Sequence, residues 1–216
     1  NLLLAVTVYE GNPVADGTVG YVEIRKASPE GSILETVNTG NLFHGREAAV
    51  FYINGLYKDA EGKYYISSVE DVYVLNPDGS LFFQVSAGAY LSAMFVLEDG
   101  RVVVGYDGKR GWNLETVNLS GKDLVPLESG VAFRKGVYRK GQDADIAYVQ
   151  DGVLYLCNLE EEEPTAVLNW RESNIDSNNI RDFALLPDGR VIVLTVDYSA
   201  GAKKEIAILT EQEDGA

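Results

Sequence analysis

Short apolar runs rich in Val, Ile, Tyr and Leu recur along the whole chain, separated by clusters of Gly, Asp, Asn and Pro. They include "AVFYI", "KYYISSV", "DVYVLN", "SLFFQVS", "RVVVGY", "DIAYVQ", "VLYLCNL" and "RVIVLTV". Each has the length and β-branched or aromatic content of a strand, and the clusters between them have the chemistry of tight turns. No segment sustains apolar residues at i, i+3, i+4 and i+7 long enough to predict a helix. The pattern predicts an all-β protein.

Internal repetition narrows the architecture. "FVLEDGRVVV" and "FALLPDGRVIVL" put their turn glycines at 100 and 189, 89 residues apart. "VEDVYVLN" and "VQDGVLYLCN" put their asparagines at 76 and 158, 82 apart. "SPEG" and "NPDG" put glycines at 31 and 79, 48 apart. Two periods in each of the first pairs and one in the third give a repeat of about 41 to 48 residues, the length of a four-stranded propeller blade. The expected fold is therefore β-propeller-like, with about five blades. These run from Asn1 to Thr39, Glu47 to Ser86, Leu91 to Glu128, Val131 to Trp170, and from Ile180 onward. The first blade lacks an innermost strand and the last lacks an outermost one. A single propeller-like domain over 1–216 that closes its own ring and a fragment of a larger ring both fit. The duplicated sentence reads as innermost strand, turn and second strand of a blade.

Composition changes the picture mainly by exclusion. A net charge of −15 and a pI near 4.4 repel nucleic acid and anionic membrane surfaces; an acidic surface of this kind serves solubility. No apolar stretch approaches the roughly 20 residues of a transmembrane helix. "NLLLAVTVYEG" has no basic leader region and no initiator Met, so it reads as a strand in a trimmed or processed chain. Cys157, alone, forms no internal disulfide and reads as a small buried hydrophobe.

Candidate chemistry is sparse. Neither a phosphate-binding P-loop nor a G-x-G-x-x-G turn occurs, and no cofactor is implied. One Cys and one His leave little for a Cys/His metal site. His44, in "NLFHGREAAV", would have to be the base of any serine or cysteine catalysis; it reads as an exposed loop residue before an innermost strand. A glycosidase needs two carboxylates about 5 Å or about 6.5 to 9.5 Å apart, and five-bladed propellers can carry them. Glu47 and Asp182, at the starts of innermost strands, are the candidates, with Asp143 and Asp145 as further ones. No catalytic residue is assigned. "LEEEEPT", 159–165, reads as a solvated turn between outer strands, and most of the tyrosines suit half-buried strand positions. Asn174, Asp176, Asn178 and Asp182 alternate as calcium-loop ligands do, but Asn179 stands where such loops favour Gly, and Leu185 where they need a bidentate Glu. An Asx-rich connection between blades is the simpler reading.

"VLNWRESNIDSNNIRDFALLPDGRVIVL", 167–194, resembles a segment in the propeller-like N-terminal region of extracellular solute-binding lipoproteins of gut Clostridia and other Firmicutes. The likeness rests on Trp170, the Ser173-Asn174-Ile175-Asp176 loop, Asn179-Ile180 and the Leu186 to Arg190 turn. It implies a lipid-anchored, extracellular protein associated with the bacterial cell surface, whose solute-binding domain would follow Ala216. The expected function is a non-catalytic binding or interaction module with a protein or carbohydrate ligand. The alternatives are a carboxylate-based glycosidase and a structural scaffold for protein interaction.

Overall fold

The computed structural model of the chain describes residues 2–10, 19–40, 42–45, 53–109, 111–133, 136–169, 175–176, 179–199 and 201–209. Among them every regular element is a β-strand, and the strands form five antiparallel sheets in chain order. Sheet 1 holds β1 (Leu2–Glu10), β2 (Val19–Ala27), β3 (Ile33–Asn38) and the two-residue β4 (His44–Gly45). Sheet 2 is a meander of β5 (Ile53–Lys58), β6 (Tyr64–Ser68), β7 (Asp71–Leu75) and β8 (Leu81–Ser86). Sheet 3 runs through β9 (Leu91–Val96), β10 (Val102–Gly108), β11 (Gly111–Asn118) and β12 (Asp123–Pro126). Sheet 4 comprises β13 (Val137–Lys140), β14 (Ile146–Gln150), β15 (Val153–Cys157) and β16 (Thr165–Asn169). Sheet 5 has three strands, β17 (Ile180–Leu185), β18 (Val191–Asp197) and β19 (Lys203–Leu209). These sheets are the blades of a β-propeller.

The duplicated sequence is a duplicated structure. β9 and β17 are the first strands of sheets 3 and 5, and each leads into a turn closed by the same bonds. Leu97 N donates to Arg101 O at 2.9 Å and Gly100 N to Leu97 O at 3.0 Å; Leu186 N donates to Arg190 O at 2.8 Å and Gly189 N to Leu186 O at 3.0 Å. Asp99 and Asp188 each accept the main-chain N–H and the guanidinium of the arginine two residues on. Gly100 and Gly189 take φ of +86° and +82°, a conformation that side chains with a Cβ resist. The other spacings hold too: Gly31 and Gly79 each turn the chain into the last long strand of a blade, and Asn76 and Asn158 each follow the third strand of a blade.

The chain divides into two compact units. The first contains sheets 1 and 2, whose facing sides bury Val22, Ile24, Val37, Phe43, Tyr64, Ile66 and Leu75. The second contains sheets 4 and 5, which enclose Ala147, Val149, Leu154, Phe183, Val191 and Val193. In both, the period-two alternation of neighbouring strands supplies the apolar surfaces that meet.

The backbone at His44 corrects one expectation. It is no loop residue: it pairs with Tyr21 as part of β4. β2 is nine residues long, whereas β3 pairs only with Glu23 to Ala27, leaving the start of β2 without a neighbour on that side. The His44–Gly45 segment supplies one, so backbone hydrogen bonding rather than loop geometry fixes its position. Glu47 lies outside the described residues.

Candidate functional site

The facing sides of sheets 1 and 2 do not close along their full length. In sheet 1 the register aligns Ala5, Ile24 and Val37 in one row and Leu3, Lys26 and Glu35 in the row two residues further along. The inward side thus changes from apolar to charged within one row. Sheet 2 does the same: Leu56, Ile66 and Tyr73 form one row, and Lys58, Tyr64 and Leu75 the next. The two charged rows meet around a cleft of about 250 Å³, lined by Leu3, Ile24 and Val37 together with Lys26, Glu35 and Lys58.

The polar end is ordered by Tyr64, whose ring is 1% exposed. Lys58 Nζ donates to its hydroxyl at 2.9 Å and lies 4.7 Å from the ring centroid. That hydrogen bond, acting against the cost of burial and helped by the nearby Glu35 carboxylate, raises the Lys58 pKa above the ordinary ammonium value, so the group is cationic throughout the neutral range. The Lys26 ammonium forms no ion pair or hydrogen bond among the described residues. An apolar floor with a few convergent polar groups at one end is the usual composition of a small-molecule site.

Of the carboxylates singled out from sequence, Asp182 and Asp145 are engaged elsewhere. Asp182, in β17, accepts the Arg139 guanidinium at 2.7 Å and caps its neighbour Phe183 N at 2.7 Å. Asp145 accepts Leu159 N at 3.0 Å, tying the end of sheet 4 together. Asp143 sits at φ +55° in the β13–β14 turn, on the rim of an apolar hollow of about 270 Å³ floored by Leu154, Leu168 and Val191. No second carboxylate lines that hollow among the described residues. Of the calcium-loop candidates, Asp176 accepts Asn179 N through its main-chain oxygen at 3.0 Å. Asn174 and Asn178 lie outside the described residues, as do Trp170 and Ser173. Among the described residues no three His, Cys, Asp or Glu side chains gather as metal ligands.

Cys157 is buried, and burial, followed by the Asp145 and Glu161 charges, pushes its thiol up to about 11. At pH 8 about one thiol in a thousand is then ionised. Iodoacetamide labelling of the native protein should run at least about 100-fold slower than that of a free thiol, with the difference lost in urea; fast native labelling would contradict the burial. Because the folded-state value is raised, the thiol's contribution to stability is complete below the ordinary thiol range and falls as pH rises from there to about 11.

No protein-family model and no curated protein matches the sequence. Solved structures do match the fold. A protein of unknown function from Bacteroides caccae aligns with a TM-score of 0.52 at 14% identity, over 89% of this chain and 66% of that one. Virginiamycin B lyase from Staphylococcus aureus aligns with a TM-score of 0.52 at 11% identity, over 90% and 67%. The extracellular domain assigned to a one-component system of Bacteroides thetaiotaomicron aligns with a TM-score of 0.51 at 17% identity, over 77% and 23%. The chain spans about two thirds of the first two proteins' length. At these identities the likeness shows the propeller fold.

Proposed function

We propose that the chain is a non-catalytic binding module of a bacterial cell-surface protein, with the cleft between sheets 1 and 2 as its solute site. An accessory propeller of a solute-binding lipoprotein is the setting that fits the resemblance of 167–194. The observation that carries the reading is the meeting of two charged rows at one end of an apolar cleft. An extracellular bacterial domain of similar fold supports the cell-surface setting. Glycoside hydrolysis needs two convergent carboxylates, whereas this cleft offers one carboxylate and two ammonium groups.

Thermal unfolding in the presence of a panel of monosaccharides, amino acids, short alcohols and short carboxylic acids tests the proposal. At least one solute should raise the midpoint at millimolar concentration. Leu3→Trp, which fills the cleft, should abolish that rise while the variant alone unfolds as a cooperative protein. A panel without effect overturns the proposal. So does turnover of aryl glycosides that falls on Asp182→Asn, which would favour the carboxylate glycosidase.

A further inference from the structure

We infer that the cleft takes a small amphipathic carboxylate, its head between Lys26 and Lys58 and its short tail over Leu3, Ile24 and Val37. The inference rests on the binding-module reading above and adds the chemical class of the ligand. The chain carries 33 acidic and 18 basic side chains. Two lysines against one glutamate in a single cleft invert that balance locally.

The local net charge is +1, which a monoanion neutralises. A dianion would leave excess negative charge beside Glu35 over an apolar floor, where unpaired charge is costly. A cation would meet two ammonium groups. A neutral solute would leave the ammonium of Lys26 unpaired at the mouth.

Each ammonium has donors to give. Lys58 uses one of its three N–H groups on the Tyr64 hydroxyl, which also fixes where the other two start from. Lys26 has all three available among the described residues. Both lysines line the cleft together with Leu3, Ile24 and Val37, so charged and apolar groups are presented to one solute. The volume, about 250 Å³, admits a short chain or a single ring rather than a lipid.

Calorimetric titration of the intact chain with hexanoate, hexanol and hexylamine is the test. Hexanoate should bind at least about tenfold more tightly than hexanol, as charge-assisted hydrogen bonds imply, and hexylamine should not bind. Lys26→Met should weaken hexanoate about tenfold and leave hexanol within about twofold. Lys58→Met should act in the same direction. Lys122→Met, whose ammonium lies over the Phe82 ring away from the cleft, is the charge control and should change nothing. Equal affinity for hexanol and hexanoate, or hexanoate binding unmoved by Lys26→Met, overturns the carboxylate and leaves a neutral-solute site. No binding by these compounds or by any solute of the panel overturns the class and the binding reading together.

Discussion

Replacing Tyr138 by alanine is expected to destabilise the protein by about 3 to 5 kcal/mol, the range for removing a buried aromatic ring. Tyr138 is fully buried. The antiparallel register sets it opposite Tyr148, and Tyr148 opposite Tyr155. The rings stack across the strands at 5.2 Å in both steps, and Trp112 stacks on the far side of Tyr138 at 5.1 Å and 13°. Phe133 meets Tyr138 edge-on at 5.9 Å. Centroids this far apart in nearly parallel rings are offset stacks, which add about 0.5 to 1.5 kcal/mol per pair beyond burial. Alanine at 138 removes the middle of this column, so neither neighbour can close the gap without moving a strand. Tyr155, half-buried at the end of the column, should cost about half as much on the same replacement. Urea unfolding gives both values, and a change in Trp112 emission should accompany the loss at 138. A cost below about 1 kcal/mol for Tyr138→Ala would mean the column is not packed as described.

Gly79→Ala is expected to cost about 2 to 5 kcal/mol, against about 1 to 2 kcal/mol for Gly100→Ala or Gly189→Ala. The three glycines share one conformation, with φ of +87°, +86° and +82°, so the backbone penalty is common to all. Their surroundings differ. A Cβ at 100 or 189 would enter open space. At 79 it would collide with the carbonyl oxygen of Asn38 and come within 2.9 Å of Val37 Cγ1. Asn38 is held in β3 by its pairing with Glu23, so its carbonyl cannot swing aside as a flexible side chain could. The excess over the other two glycines therefore measures the contact between β3 and the β7–β8 turn. Equal losses at all three positions would show that this contact is absent.

Gly79, Gly100 and Gly189 also illustrate what was legible in the sequence. Turn chemistry is local: an Asp binds the main-chain N–H two residues on and a Gly takes the positive φ, so the repeat could be read without knowing which strands face each other. The tyrosine column could not, because Tyr138, Tyr148 and Tyr155 become neighbours only through strand register. The cleft lay between these cases. Inward positions of β2 read Gly20, Val22, Ile24 and Lys26, and those of β3 read Glu35 and Val37. Lys26 and Glu35 break an apolar alternation at its end, and that interruption was the available signal. Its meaning needed Lys58, brought into the same cleft by a different sheet. The Asp182 ion pair could not be read for a related reason: its Arg139 partner lies 43 residues away in sequence.

Titration of the methyl-labelled protein with hexanoate, hexanol and the solutes of the panel, followed by carbon–proton correlation spectra, tests the solute site most directly. The account predicts that the Leu3, Ile24 and Val37 methyls shift together, saturably, with at least one of these solutes. It further predicts that the methyls of Leu154 and Val191 in the other unit stay in place. No saturable change at Leu3, Ile24 and Val37, or changes confined to Leu154 and Val191, would contradict it.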